Sequence, residues 1–66
     1  MTPNQIKAAI ILAGDSQRQI AQRLKVTDGA VHQVVQGIAK SQRIQDEIAR
    51  VIGKKAKEIW PSARAA

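Results

Sequence analysis

Apolar residues recur along the first part of the chain at helical spacing. The first stripe repeats every three or four positions and consists of Ile6, Ala9, Ile10 and Ala13. Thr2 is a good N-cap, Pro3 suits the first helical position, and Gly14 suits the position just after a helix. The pattern predicts a first helix over about 3–13. Ile11 and Leu12 flank the stripe, and we expect them to be part core and part interface.

A second helix follows after a short break. Ser16 and Gln19 have the spacing of a capping box, which predicts a helix over about 17–24. Its apolar face consists of Ile20, Ala21 and Leu24. The next turn contains Val26, and Thr27 can cap a third helix over about 28–36 that Gly37 closes.

The third predicted helix has two contrasting faces. At about 100° per residue, its inward arc contains Ala30, Val31 and Val34, and Val35 lies on the boundary. The opposite arc, with Asp28 at its margin, contains Gly29, His32, Gln33 and Gln36. Such a helix can pack on a domain with one face and enter the major groove of DNA with the other, where polar side chains bond to base edges.

Two further apolar groups complete the pattern. Ser41 can cap a fourth helix over about 42–52, with an inner face of Ile44, Ile48, Val51 and Ile52. The last group is Ala56, Ile59 and Trp60, in a short helix or turn that Pro61 ends. Trp60 is interpreted as a core lid, with a dimer contact as the alternative. We predict a single all-α domain over 1–61, a compact bundle of about five short helices, and a flexible tail over 62–66.

Composition and charge narrow the possible partners. Among 66 residues, 11 basic side chains outnumber 5 acidic ones, and the net charge of +6 favours nucleic acid or another anionic surface. The chain has no Cys, so it can form neither a disulfide nor a thiolate metal site. No apolar run approaches the roughly 20 residues of a membrane span, and the N-terminus lacks a signal pattern. We therefore expect a cytoplasmic protein with no membrane contact.

The stretch QRQIAQRLKVTDGAVHQVVQG resembles the helix-turn-helix of the lambda-repressor-like family. The matching positions are Gln17, Ile20, Ala21, Leu24, Val26, Thr27, Ala30, Val31, Val34 and Gly37. The string EIWPSAR resembles the end of short phage regulators of the Ner type. The resemblance implies a transcriptional regulator, a repressor acting by operator occupancy, that binds double-stranded DNA as a homodimer in the bacterial cytoplasm or nucleoid. Lys25 departs from the family, which often has Gly in the turn.

The resemblance also implies which side chains contact the bases. They come from the start and outer face of the third helix and are Thr27, Asp28, Gly29, His32, Gln33 and Gln36. Gln33 is the best single candidate because a glutamine can form two hydrogen bonds with the adenine edge. Two roles are open for Asp28: its carboxylate can stabilise the positive end of the helix, or it can accept a hydrogen bond from cytosine N4.

Phosphate contacts are expected where helices begin, because the N–H groups of the first turn attract anions. Gln17 begins the second helix and Ser41 precedes the fourth, while Lys25, Lys40 and Arg43 add positive charge beside them. Five further basic residues are expected to be solvated, namely Arg18, Arg23, Lys54, Lys55 and Lys57.

The sequence contains no catalytic constellation, so we expect no enzyme activity, no cofactor and no small-molecule ligand. His32 is the only histidine, which argues against a metal site. Asp46 and Glu47 are expected to pair with Arg43 and Arg50 along the fourth helix. Two alternatives stay open: a non-specific DNA-coating protein, and a protein-interaction module of the antitoxin or anti-repressor type, which would expose Ile11, Val35 or Trp60.

Overall fold

The computed structural model describes residues 1–60, in which the regular structure is entirely helical and no strand occurs. Five helices follow in order: α1 (Pro3–Leu12), α2 (Gln17–Leu24), α3 (Asp28–Gln36), α4 (Gln42–Ile52) and α5 (Ala56–Ile59). The all-α prediction is confirmed, and the predicted bounds differ only at Ala13, which is the C-cap of α1. Pro61 and the predicted tail lie outside the described residues.

Local hydrogen bonds explain where the first two helices begin. Thr2 Oγ1 accepts from Gln5 N at 3.1 Å and Gln5 Oε1 accepts from Thr2 N at 2.8 Å, which completes a capping box. Ser16 Oγ accepts from Gln19 N at 3.1 Å, but Ser16 N donates to Asp15 Oδ1 instead of to Gln19. The predicted capping box of α2 is therefore only half formed, because the neighbouring carboxylate takes the second donor.

Thr27 and Ser41 occupy N-cap positions but behave differently. Thr27 Oγ1 accepts from Ala30 N at 3.1 Å, as expected for a cap of α3. Ser41 makes no side-chain cap hydrogen bond, so that part of its prediction is wrong. The backbone gives a physical reason, since ψ is 109° at Ser41 and 156° at Thr27. The Ser41 hydroxyl therefore leaves the N–H groups in the first turn of α4 uncovered.

All five helices contribute to one apolar core. Its buried members are Ile6, Ile10, Ile20, Ala21, Val31, Val34, Val35, Ile44, Ile48, Ala49, Ile59 and Trp60. Val35 is buried although its periodicity placed it on a boundary, and Ala13 is exposed although it continues the α1 stripe. Trp60 is 8% exposed, in agreement with its interpretation as a core lid.

Among residues 1–60, three large apolar side chains are exposed outside this core. Leu12 is 88% exposed, Ile38 74% and Ile11 64%. Ile11 and Leu12 are therefore surface residues and take little part in the core they were expected to share. No helix among residues 1–60 combines the length and apolar character needed to cross a membrane.

An ion-pair network joins the α1–α2 loop to α2 and α4. Arg23 Nη2 donates to Asp15 Oδ2 at 2.7 Å and to Glu47 Oε2 at 2.8 Å, and Arg50 also donates to Glu47. The predicted Glu47–Arg50 pair is thus confirmed, whereas the expectation that Arg23 is merely solvated is wrong. Asp46 pairs with neither arginine and accepts from Gln42 Nε2. The network fixes α2 relative to α4 from outside the core.

The network predicts a loss of stability in acid. The hydrogen bond from Arg23 lowers the pKa of Asp15 below its usual 3.8, and the bond from Arg50 lowers the pKa of Glu47 below its usual 4.5. Groups whose pKa falls on folding stabilise the protein fully above about pH 4 to 5, and that stabilisation is lost as pH falls through the lower folded-state values.

We expect the double variant Asp15→Asn/Glu47→Gln to unfold at lower urea concentration than the parent at pH 7. Its stability should also fall less between about pH 5 and pH 2. Asp46→Asn is the matched control, since this carboxylate bonds only to an amide in the described residues. Equal acid sensitivity of the parent and the double variant would show that the network does not couple stability to pH.

Lys25 adopts the left-handed conformation, with φ 58° and ψ 44°, and is the one non-glycine residue among those described that has positive φ. A side chain in this region costs roughly 1–2 kcal/mol relative to glycine. Val26 N donates to Ala21 O at 3.0 Å across the same turn, and this bond helps to hold the conformation.

We expect Lys25→Gly to raise the free energy of unfolding by about 0.5–1 kcal/mol, because relief of the strain exceeds the extra chain entropy of glycine. Thermal unfolding measures this directly. Lys25→Gln is the control, since it removes the charge and keeps the strained backbone, and its stability should stay near that of the parent. An unchanged or lower stability of Lys25→Gly would contradict the strain argument.

Candidate nucleic-acid interface

The third helix is anchored to the core along one side and open on the other. Val31, Val34 and Val35 of α3 are at most 1% exposed, and α3 packs against α1, α2 and α4. Stiff β-branched side chains in this position limit rotation of the helix about its axis. The outer face of α3 is therefore held in a fixed orientation by residues that lie beneath it.

The outer face of α3 carries the polar side chains that the sequence placed there. Asp28, Gly29, His32 and Gln33 are exposed, while Gln36 is half-buried. Within residues 1–60, the side chains of His32, Gln33 and Gln36 form no hydrogen bond to the protein. Their donors and acceptors thus point to solvent or to a partner, and none is needed to hold the fold.

Neither packing nor backbone conformation requires a glycine at position 29 in this fold. A Cβ atom built there would meet only Thr27 Oγ1, at 4.0 Å, and its backbone is helical. Glycine in a helix is less stable than alanine by about 1 kcal/mol. The position instead leaves the first turn of α3 flat, so that a large partner can approach the backbone closely.

Thr27 and Asp28 form the exposed start of α3. The Thr27 hydroxyl oxygen already accepts from Ala30 N, and its proton can still be donated to a partner. Asp28 lies in the first turn, where a carboxylate interacts favourably with the positive end of the helix. The two readings of Asp28, as a helix-stabilising charge and as a base contact, are both compatible with this placement.

Four of the five expected phosphate contacts lie at one edge of the molecule. Arg43 Nη2 donates to Leu24 O at 2.7 Å and so joins the first turn of α4 to the α2–α3 turn, where Lys25 is exposed. Lys40 and Ser41 directly precede α4, and Lys40 is exposed. The turn and the start of α4 thus combine three cations with uncovered helical N–H groups.

Gln17 is separate from this edge. It begins α2 and is half-buried, whereas Lys25 follows the end of the same helix. Eight helical residues span about 12 Å, so the two sites are about two helical turns apart. Contacts at Gln17 and at the Lys25 edge would therefore reach different phosphates.

Charge is distributed unevenly between the interface and the rest of the surface. No ion pair involves Lys25, Lys40 or Arg43 in the described part of the chain, whereas Asp15 and Glu47 pair with Arg23 and Arg50. Asp28 is the only carboxylate on α3. Asp15 and Glu47 thus pair with arginines, and the cations Lys25, Lys40 and Arg43 have no carboxylate partner among residues 1–60.

Residues 1–60 offer little support for a metal site or a small-molecule site. No group of three or more His, Asp or Glu side chains there is placed to hold a metal ion. An open depression of about 450 Å³ is lined by Gly14, Asp15, Gln19, Gln22 and Arg23. Its charged groups, Asp15 and Arg23, are bonded to each other, so they are already satisfied without a ligand.

Sequence reasoning missed two features of this surface. The contact of Arg43 with Leu24 O joins residues from different helices, and no local signal announces it. Exposed Ile38 follows Gly37, the C-cap of α3, and was not singled out, although an isoleucine next to a helix-ending glycine is visible in the sequence.

Comparison of the chain with protein-family models, with curated proteins and with solved structures gave no match.

Proposed function

We propose that the chain is a lambda-repressor-like transcriptional regulator of the Ner type, in which α2 and α3 form a helix-turn-helix and α3 reads duplex DNA. One observation carries the proposal: the outer face of α3 presents an imidazole and amides that form no hydrogen bond to residues 1–60, on a helix fixed by buried valines. A face of this kind matches the donors and acceptors of base edges in the major groove.

Base recognition falls to the exposed start and outer face of α3. Gln33 would form paired hydrogen bonds with an adenine edge, and His32 would donate or accept at a neighbouring base. Gly29 lets the backbone approach the groove, with Thr27 beside it. Asp28 would accept from cytosine N4 if it contacts a base, and Gln36 reaches the groove only with the exposed part of its side chain.

Phosphate contacts would set the register of α3 in the groove without reading sequence. Lys25, Lys40 and Arg43 supply charge at one edge, and the uncovered N–H groups after Ser41 supply donors of the kind that bind anions at helix starts. Gln17 would contact a phosphate on the other side. The bond of Arg43 to Leu24 O uses one guanidinium N–H and leaves the others for a phosphate.

A domain of this size presents few base contacts, so the proposal includes a homodimer on DNA. Two-fold readers place their recognition helices about 34 Å apart, one turn of the duplex. Exposed Ile11, Leu12 and Ile38 are the apolar side chains that such a pair could cover. Repression would follow from occupancy, since a dimer on an operator blocks polymerase. The resemblance to Ner-type regulators supports a phage or prophage setting within the bacterial cytoplasm.

A protein-interaction module is the second candidate, because Ile11 and Leu12 are adjacent and exposed on α1. Val35 and Trp60, which would have extended an apolar surface, are buried instead. A non-specific DNA-coating protein is favoured less, because the outer face of α3 has no Lys or Arg.

Selection of bound duplexes from a random DNA pool at about 150 mM salt tests these candidates. Two related half-sites about 10 base pairs apart are the expected enriched motif. A single unpaired motif would remove the dimer and keep the regulator. Retention without enrichment would favour the coating protein, and no retention would favour the interaction module.

A further inference from the structure

Three lysines, Lys54, Lys55 and Lys57, cluster where α4 ends and α5 begins, and we name them the lysine corner. All three are exposed, and none forms an ion pair within residues 1–60. Glu58 is the carboxylate next to them in sequence, and its Oε1 accepts from Lys55 N at 3.4 Å. The lysine corner thus combines three cations with one neighbouring carboxylate, and none of the four is in an ion pair within residues 1–60.

The backbone of the lysine corner is held in place from both sides. Gly53 N and Lys54 N donate to Ala49 O at 2.8 Å and 3.0 Å, which closes α4. On the other side, Ile59 and Trp60 are buried in the core. The lysines therefore project from ordered backbone, and a partner need only order their side chains.

The lysine corner lies far from the proposed DNA interface. The first turn of α4 contacts the α2–α3 turn through Arg43, whereas the lysine corner follows the last turn of the same helix. The 11 residues of α4 span about 16 Å. If the start of α4 faces a phosphate, as in the proposed function on which this step rests, the helix axis leads away from that duplex. A lysine side chain is too short to reach from the lysine corner back along the length of α4 to that duplex.

We infer that the lysine corner binds the phosphates of a second DNA duplex, so that the protein bridges two duplexes. Lysine ammonium groups are compact point charges that attract phosphate without the fork geometry of arginine, and no amide or aromatic side chain is exposed among them. The contact is therefore blind to sequence. An anionic membrane fits less well, because stable anchoring takes an apolar contact in addition to a basic patch, and the neighbouring Ile59 and Trp60 are buried in the core.

The test uses one duplex on beads and a second, labelled duplex of arbitrary sequence in solution. The corner variant is Lys54→Gln/Lys57→Gln, with Lys55 kept because its backbone N–H is bonded at the start of α5. The control is Lys7→Gln/Arg18→Gln, which lowers the net charge of +6 by the same two charges. We expect the corner variant to retain about tenfold less labelled duplex than the parent, while its own retention on the beads changes much less. The control should behave as the parent.

Three results would overturn the inference: a parent protein that does not bridge, a corner variant that bridges as well as the parent, and a corner variant whose binding to beads falls as much as its bridging. The last would place the lysine corner on the first duplex. Bridging through the two α3 helices of a dimer would survive the corner substitutions. Failure of the proposed function can be distinguished from failure of this inference. If α3 does not read sequence, the pool selection gives no enriched motif, while bridging that depends on the lysine corner persists.

Discussion

Gln33→Ala is expected to weaken binding to the selected duplex by about 1–3 kcal/mol, a loss of roughly fivefold to 150-fold in affinity, and to relax preference at one base position. The Gln33 side chain is exposed and has no protein partner within residues 1–60, so its removal leaves the fold unchanged. Binding isotherms with the selected duplex and with each single-base variant of it measure both effects.

Gln22→Ala is the matched control, because Gln22 is also an exposed glutamine on a helix but lies on α2 at the depression beside Arg23. Its affinity and base preference should stay those of the parent. Thermal unfolding of both variants checks that neither change arises from stability. If Gln33→Ala kept both affinity and base preference, the proposed orientation of α3 in the groove would be wrong.

The helices could be predicted because their limits are set by short-range chemistry. Gly37 and Gly53 end α3 and α4 in left-handed conformations, which glycine adopts without strain. Which side chains are buried near the end of a helix depends on tertiary packing. Helical periodicity therefore placed Ala13 on the apolar stripe and Val35 on the boundary, whereas Ala13 is exposed and Val35 is buried. The apolar periodicity of a helix can continue beyond the last residue that contacts a neighbouring helix, and the sequence alone does not show which residue that is.

The candidate interface could likewise be predicted only in part. The polar outer face of α3 follows from helical geometry, since its members recur on one arc. The contacts that position this face join distant parts of the chain: Arg23 reaches Glu47, and Arg43 reaches Leu24 O. Each pairing depends on how α2 packs on α4, so composition and spacing could identify the charges but not their partners. Thus Arg23, expected to be solvated, is instead the centre of the network.

Ile48→Ala is expected to have the largest effect on the protein. Ile48 is 0% exposed on α4, where it belongs to the core that supports α3. Truncation of a buried isoleucine to alanine costs about 2–5 kcal/mol through lost burial and the cavity left behind. The total stability of a chain of 66 residues is only about 3–10 kcal/mol. The substitution should therefore remove a large fraction of the free energy of unfolding, and DNA binding at 37 °C should fall in step with the folded fraction.

Ile11→Ala is the matched control, because it is the same substitution at an α1 position that is 64% exposed. Its free energy of unfolding in urea should change by less than about 1 kcal/mol, since little apolar area returns to water. The two variants also separate stability from recognition. Ile48→Ala should regain the parent's base preference at low temperature, where more of it is folded, because Ile48 is buried away from the outer face of α3. Equal destabilisation by the two substitutions would contradict the assignment of Ile48 to the core, and altered base preference in folded Ile48→Ala would show that the core sets the groove contacts directly.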